Sequence, residues 1–344
     1  MTIEPNSTRM FCEAAEAAGV VQAQLKENAA TVARIARRLQ ATPPPFIVTV
    51  ARGSSDHAAC FAKYLFETRT GLFTASAGPS VFSVYKRQMS FANALCILIS
   101  QSGASPDLLA AAAAARDAGA FVVAVVNVAE SPLAGLADEV LAMHAGPETS
   151  VAATKSFIAS LSAVIQVTAA WQQDTELARA LHCAPQHLEQ AWNSSWNEAL
   201  EPLSKSSDLF VLGRGLGLGI AYEAALKFKE VCALHAEAFS SAEVMHGPVT
   251  IARSNFPVLV LAQNDETLPG IRKVTACLSQ RGLKLLTAGL SVPGAVTLPS
   301  PATHAAIEPM LRIQSFYRMA NRLSVQLGLD PDQPPFLNKV TETV

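Results

Sequence analysis

The sequence reads as an α/β protein made of two similar halves. Strand-like apolar runs alternate with helix-like ones along most of the chain, the pattern of a parallel sheet flanked by helices. Half of the 344 residues are hydrophobic, enough to fill a sizeable core. One spacing recurs as well: 162 residues separate Arg52 from Arg214, and 162 separate Gln101 from Gln263, each at the end of a strand-like run. A shared offset at two strand ends predicts an internal duplication.

Taken in order, "FIVTVARGSSDHAACFAKYLF" predicts a strand from Phe46, a tight loop over Gly53 to Asp56, and a helix through Leu65. "ALCILISQSGASPDLLAAAAAARDAG" repeats the plan, with a strand from Ala94 to Ile99, a Ser/Gly loop, and a helix opened by Pro106 and stopped near Gly119. "FVVAVVN" supplies the next strand. In the second half, "LFVLGRGLGLGIAYEAALKFK" and "PVLVLAQNDETLPGIRKVTACLSQRG" each read as strand, loop and helix, and "LKLLTAG" as the following strand. The polar, helix-patterned stretch before them places a boundary near residues 190–205. The division expected is 1–195, 196–328 and a proline-rich polar tail over 329–344.

Composition excludes several classes of function. The net charge is −2, and no Lys/Arg run with interleaved aromatics occurs, so no nucleic-acid partner is expected. The six cysteines lack any C-x-x-C spacing, which argues against a metal site or a disulfide framework and for a reducing cytoplasm. No apolar run reaches the length of a membrane span, and the first residues carry no signal pattern. No cofactor is expected either. The glycines of "GRGLGLG" alternate instead of following G-x-G-x-x-G, and no acidic residue follows at the distance a dinucleotide ribose needs.

Two loops carry anion-binding chemistry. "SQSGAS" sits where a buried strand meets a helix, so Ser100, Gln101, Ser102 and Ser105 bring donors to the positive end of a helix dipole. Ser54 and Ser55 join them from the neighbouring strand end, where α/β proteins hold ligands. The same serines would also serve as ordinary helix caps.

In "ALKFKEVCALHAEAFSSAEVMHGP" two lysines, three glutamates and two histidines crowd together, although only 16% of the chain is charged. Lys227 and Glu230 share a helix face, as would a plain surface pair. His235 reads as structural, whereas His246 precedes a Gly-Pro turn that would hold it at a loop mouth. A carboxylate, a lysine and a histidine beside a phosphate site form a kit for moving protons on a sugar. Lys339 adds an amine able to meet an open-chain carbonyl.

The motifs "ARGSSD", "SQSGAS", "ETSVAATKSF", "ALKFKEVCALHAEAFSSAEVMHGPV" and "DQPPFLNK", in that order, resemble the sugar isomerase (SIS) domain pair of glucosamine-6-phosphate synthases over nearly the whole chain. The resemblance implies two doubly wound, flavodoxin-like parallel-sheet subdomains with a tail that reaches the active site. It implies that Ser55, Ser100, Gln101, Ser102 and Ser105, with Ser54 nearby, hold a sugar phosphate. It makes Glu230 the base that moves a proton between C1 and C2, Lys227 its aid at the sugar oxygens, His246 the ring opener and Lys339 the group at the carbonyl. In that family the histidine comes from the neighbouring subunit, which implies a homodimer.

This sequence departs from the synthases in three places. A glutaminase domain is not found in it, Ala153 stands where they have a serine, and Pro335-Phe336 replaces a polar pair. It resembles in this the isomerising glucosamine-6-phosphate deaminases, which release fructose-6-phosphate and ammonia. The expected function is that deamination; the alternatives are a deglycase or isomerase of another amino sugar phosphate, or a regulator that only binds phosphosugars.

Overall fold

The structure is a computed structural model that describes residues 3–339. The chain opens with helices α1 (Arg9–Ala15), α2 (Ala17–Glu27) and α3 (Ala29–Ala41). There follow β1 (Ile47–Val50), α4 (Ser54–Thr70), β2 (Thr74–Ser76), the short α5 (Ser80–Ser83), β3 (Leu95–Ser100), α6 (Pro106–Asp117), β4 (Phe121–Val126) and β5 (Glu139–Ala142). Helices α7 (Lys155–Gln172), α8 (Thr175–His182), α9 (Ala184–Asn193) and α10 (Leu200–Ser204) lead to the second sheet. Its elements are β6 (Asp208–Gly213), α11 (Leu216–Cys232), β7 (His235–Ser240), β8 (Pro257–Leu261), α12 (Leu268–Gln280), β9 (Lys284–Ala288) and β10 (Val296–Leu298), and α13 (Glu308–Gln326) follows.

Every strand pairs in parallel. The first sheet has the order β2-β1-β3-β4-β5 and the second β7-β6-β8-β9-β10, which is one topology built twice. Both are the flavodoxin-like order, with the switch point between the first and third strands. The central strands are apolar without alternation: "LCILIS" and "FVVAVV" are buried throughout because helices cover both faces of such a sheet. No helix among the described residues is long and apolar enough to cross a membrane.

The 162-residue offset holds well beyond the two residues that suggested it. Helices α4 and α11 are both 17 residues long and begin 162 positions apart. Each is entered through a glycine in the same rare conformation, Gly53 at φ 54° and ψ −133° and Gly215 at φ 57° and ψ −126°. A side chain is strained at such dihedrals, so glycine is what lets the strand turn into the helix within a few residues. Because Gly53 makes that turn, Ser54, Ser55 and Asp56 lie in the first turn of α4 and not in a loop, and the helix runs to Thr70, past the Leu65 expected from sequence.

The chain divides into two compact units. One comprises Gly19–Glu148 and Lys155–His182; the other takes the chain start through Ala18, Thr149–Thr154 and Cys183–Lys339. This grouping differs from a contiguous cut at 195/196 and a separate tail from 329. Hydrogen bonds to α13 and the tail explain the difference. Ser315 Oγ donates to the Ala191 carbonyl of α9 (2.7 Å), and Gln314 Nε2 donates to the Ala14 carbonyl of α1 (2.9 Å). Asp332 of the tail accepts the backbone N–H groups of Arg9 (2.7 Å) and Met10 (2.8 Å), capping α1 across more than three hundred residues of sequence.

The cysteines are free thiols. Burial pushes the Cys60 thiol up to about 11 and the Cys96 thiol up to about 12, so both act as small apolar side chains and not as nucleophiles.

Candidate active site

In the first unit, the loop after β3 and the start of α4 lie at the carboxyl ends of neighbouring strands, β3 and β1. Ser100 is buried and its Oγ accepts the Gly103 N–H (3.0 Å), which folds the loop back on itself. Gly103 has φ +62°, and a Cβ there would come within 2.2 Å of Ser131 Oγ, so a side chain would be strained and would force Ser131 to shift. Ser102 Oγ accepts the Ala104 N–H at 3.4 Å, and Ser105 is the N-cap residue of α6 without using its hydroxyl as a cap. Ser105 is thus not spent on the capping that a purely structural role would give it. Ser54 and Ser55 follow Gly53 in the first turn of α4, so that two helix N-termini border this part of the sheet. The arrangement can hold an anion by several neutral donors.

In the second unit, Lys227 is 1% exposed and sits between two carboxylates of its own helix. Its Nζ lies 2.5 Å from Glu230 Oε2 and 3.3 Å from Glu223 Oε1. Tyr317 of α13 donates its hydroxyl to Glu223 (3.1 Å). Burial works against the ammonium, but the carboxylates of Glu223 and Glu230 outweigh it and hold its pKa above the ordinary lysine range. Lys227 is therefore a fixed cation and not a neutral base. Glu223 is fully buried, whereas the Glu230 side chain is 19% exposed. Of the three, Glu230 is the one placed to exchange a proton with a ligand. A cavity of about 710 Å³ opens beside it, walled by α11 and by tail residues including Pro335 and Phe336.

His246 is exposed, and Gly247 beside it has φ +137°. Lys227 bonds to Glu230 and Glu223, and among the described residues no hydrogen bond or ion pair joins the His246 ring to Lys227 or Glu230. Lys339 Nζ donates to the Ser150 carbonyl (2.7 Å). The segment bearing Ser150 is itself held by Glu13, whose carboxylate accepts from the backbone and hydroxyl groups of Thr149 and Ser150. Burial raises the Glu13 pKa, but these hydrogen bonds outweigh it and leave it below the ordinary range. Lys339 is thereby tied to an anchored segment of its own unit.

Comparison with known proteins decides the family. A model described as "SIS domain" matches residues 44–170 and 202–288. The chain belongs to the SIS domain family. Among curated relatives of this SIS protein, the glutamine--fructose-6-phosphate aminotransferase [isomerizing] of Aquifex aeolicus (strain VF5) is 34% identical over 305 residues, covering 85% of this chain and 51% of that one. The chain thus spans about half the length of the curated relatives it matches. A solved structure described as a candidate phosphosugar isomerase from Silicibacter pomeroyi DSS-3 is 42% identical, with a TM-score of 0.91 over 94% of this chain and all of that one. A glucosamine-6-phosphate deaminase from Thermotoga maritima, 20% identical, shares the fold alone, with a TM-score of 0.72 over 94% of this chain and 100% of that one.

Sequence reasoning missed Glu223. The signal was present, since 223, 227 and 230 fall on one helix face, but Glu223 stands in an alanine-rich run where a glutamate reads as solvated. Glu13 and Asp332 gave no signal at all, because their partners are distant in sequence.

Proposed function

We propose that this SIS-family protein is a phosphosugar aldose–ketose isomerase, and that its reaction is the conversion of glucosamine-6-phosphate and water to fructose-6-phosphate and ammonia. The observation that carries the reading is the buried Glu223–Lys227–Glu230 array. Desolvated charges are costly, and a packed apolar cluster would stabilise the helix as well or better, so chemistry is the reason to keep them. The serine loops take the phosphate. His246 assists ring opening, which exposes the C1 carbonyl. Glu230 removes the C2 proton and returns it to C1, while the Lys227 ammonium supports the negative charge that develops on the sugar oxygens. The C2 imine that results is hydrolysed by water, with Lys339 assisting at the carbonyl carbon.

The test is glucosamine-6-phosphate in deuterated water, with ammonia, fructose-6-phosphate and deuterium at C1 followed together. All three are expected. Ammonia without a ketose product would point to different chemistry, and tight binding with no turnover would favour a phosphosugar-binding regulator. The reading includes a homodimer in which His246 serves the partner chain, supported by its exposed ring. Mixing inactive Glu230→Gln and His246→Ala chains should then restore part of the activity through mixed dimers. No recovery after confirmed subunit exchange would remove His246 from that role.

A further inference from the structure

The phosphate cradle proposed above consists of neutral donors, yet a charged side chain stands at its edge. Arg52 follows β1 directly before Gly53, and its Nε–H donates to the carboxylate of Asp107 in the first turn of α6. Asp107 is fully buried, whereas the Arg52 side chain is 43% exposed. The buried carboxylate holds the guanidinium at the N-terminus of α6, at the strand ends that also carry the first turn of α4, with Ser54 and Ser55, and the Ser100–Ser105 loop. Among the described residues, the two terminal amino groups of Arg52 make no hydrogen bond. A cation at a helix N-terminus opposes the helix dipole, so this placement favours a further negative charge at the same spot.

The duplicate half shows what such a loop does with an anion. The counterparts of Gln101, Gly103 and Ser105 are Gln263, Asp265 and Thr267. There, Gln263 Nε2 donates to Asp265 Oδ2 (2.8 Å), and the backbone N–H (2.9 Å) and hydroxyl of Thr267 donate to Asp265 Oδ1. A resident carboxylate takes up the donors. Arg214, the counterpart of Arg52, again lies at the start of the helix that corresponds to α6, against Gly270 in the first turn of α12. In the first half Gly103 replaces that carboxylate, so the donors and the arginine are left for an anion from outside.

We propose that Arg52, positioned by Asp107, is the counter-charge that makes this cradle prefer a phosphorylated sugar over its unphosphorylated form. The proposal rests on the reading of the serine loops as the phosphate site. A guanidinium with its Nε already anchored keeps two forked donor groups for phosphate oxygens and loses little freedom on binding.

Calorimetric titration of the full chain with glucosamine-6-phosphate and with glucosamine tests it. The paired variant Arg52→Gln/Asp107→Asn removes both charges, so no buried carboxylate is left alone. It should bind glucosamine-6-phosphate about 10- to 100-fold more weakly, with the affinity for glucosamine and the ligand-free thermal midpoint unchanged. Arg52→Lys keeps the charge and loses the fork, and should lose about three- to tenfold, again only for the phosphorylated sugar. If the paired variant fails to fold, the lysine variant decides. Wild-type affinity for glucosamine-6-phosphate in the folded variants would overturn the role of Arg52 and leave the cradle standing. A wild-type protein that binds both sugars equally would overturn the cradle and this proposal with it.

Discussion

Helices α4 and α11 occupy the same place in two copies of one topology, and their inward faces are opposites. At the positions where α4 buries Phe61 and Leu65, α11 buries Glu223 and Lys227, and exposed Thr68 corresponds to Glu230. The strand-end loops differ in the reverse sense: Ser100–Ser105 contains no carboxylate, while Asp265 fills its counterpart. One frame therefore supports both a dry apolar packing and a buried ion array, and the fold does not require the array. Each half has kept one specialised feature, an open donor loop in the first and a charged helix face in the second.

The largest effect is expected from removing half of the array. Lys227→Leu leaves Glu223 buried beside no ammonium and should cost about 3–5 kcal/mol in urea unfolding. Adding Glu223→Phe copies the α4 pattern and should recover most of that loss without restoring turnover. A double variant as unstable as the single one would show that the array serves packing. Next in size, Glu230→Gln should lower turnover by at least about a hundredfold with substrate affinity nearly unchanged, whereas Thr68→Ala on α4 should leave kinetics untouched. The smallest contrast lies in the loops. Ser102→Ala should weaken glucosamine-6-phosphate binding by about 1 kcal/mol and leave stability alone. Asp265→Ala should reverse this, costing about 1–2 kcal/mol of stability and nothing in binding. Equal effects of the two on binding would erase the distinction between the loops.

The parts of this design visible in the sequence are those with local causes. Pro106 and Gly119 bracket α6 because proline suits a helix start and glycine a stop, and the strand runs are apolar because both sheet faces are covered. The duplication showed through Arg52/Arg214 and Gln101/Gln263, since both pairs sit at strand ends where the polar pattern resets. The sequence reading starts helix α4 three residues late because "GSSD" has the composition of a loop, and only the positive φ of Gly53 shows that the turn is already complete. The array was half visible: Lys227 and Glu230 stood out, but the burial of Glu223 depends on Tyr317 and α13, which no local pattern reports. The grouping of α1 and α9 with α13 leaves no local pattern for the same reason, as their hydrogen bonds join segments far apart in sequence.

The cap that Asp332 places on α1 has a consequence during synthesis. Arg9 leaves the ribosome 323 residues ahead of the residue that satisfies its N–H. At translation speeds of about 5–20 residues per second, that interval is roughly 15 to 65 s. Throughout it, α1 is without the Asp332 carboxylate and without α13, and the Thr8 hydroxyl, which accepts the Phe11 N–H, is the cap it has. A seven-residue helix is marginal in water by itself, so α1 completes its contacts only once a segment made more than three hundred residues later has arrived. During that interval the segment is open to chaperones and proteases.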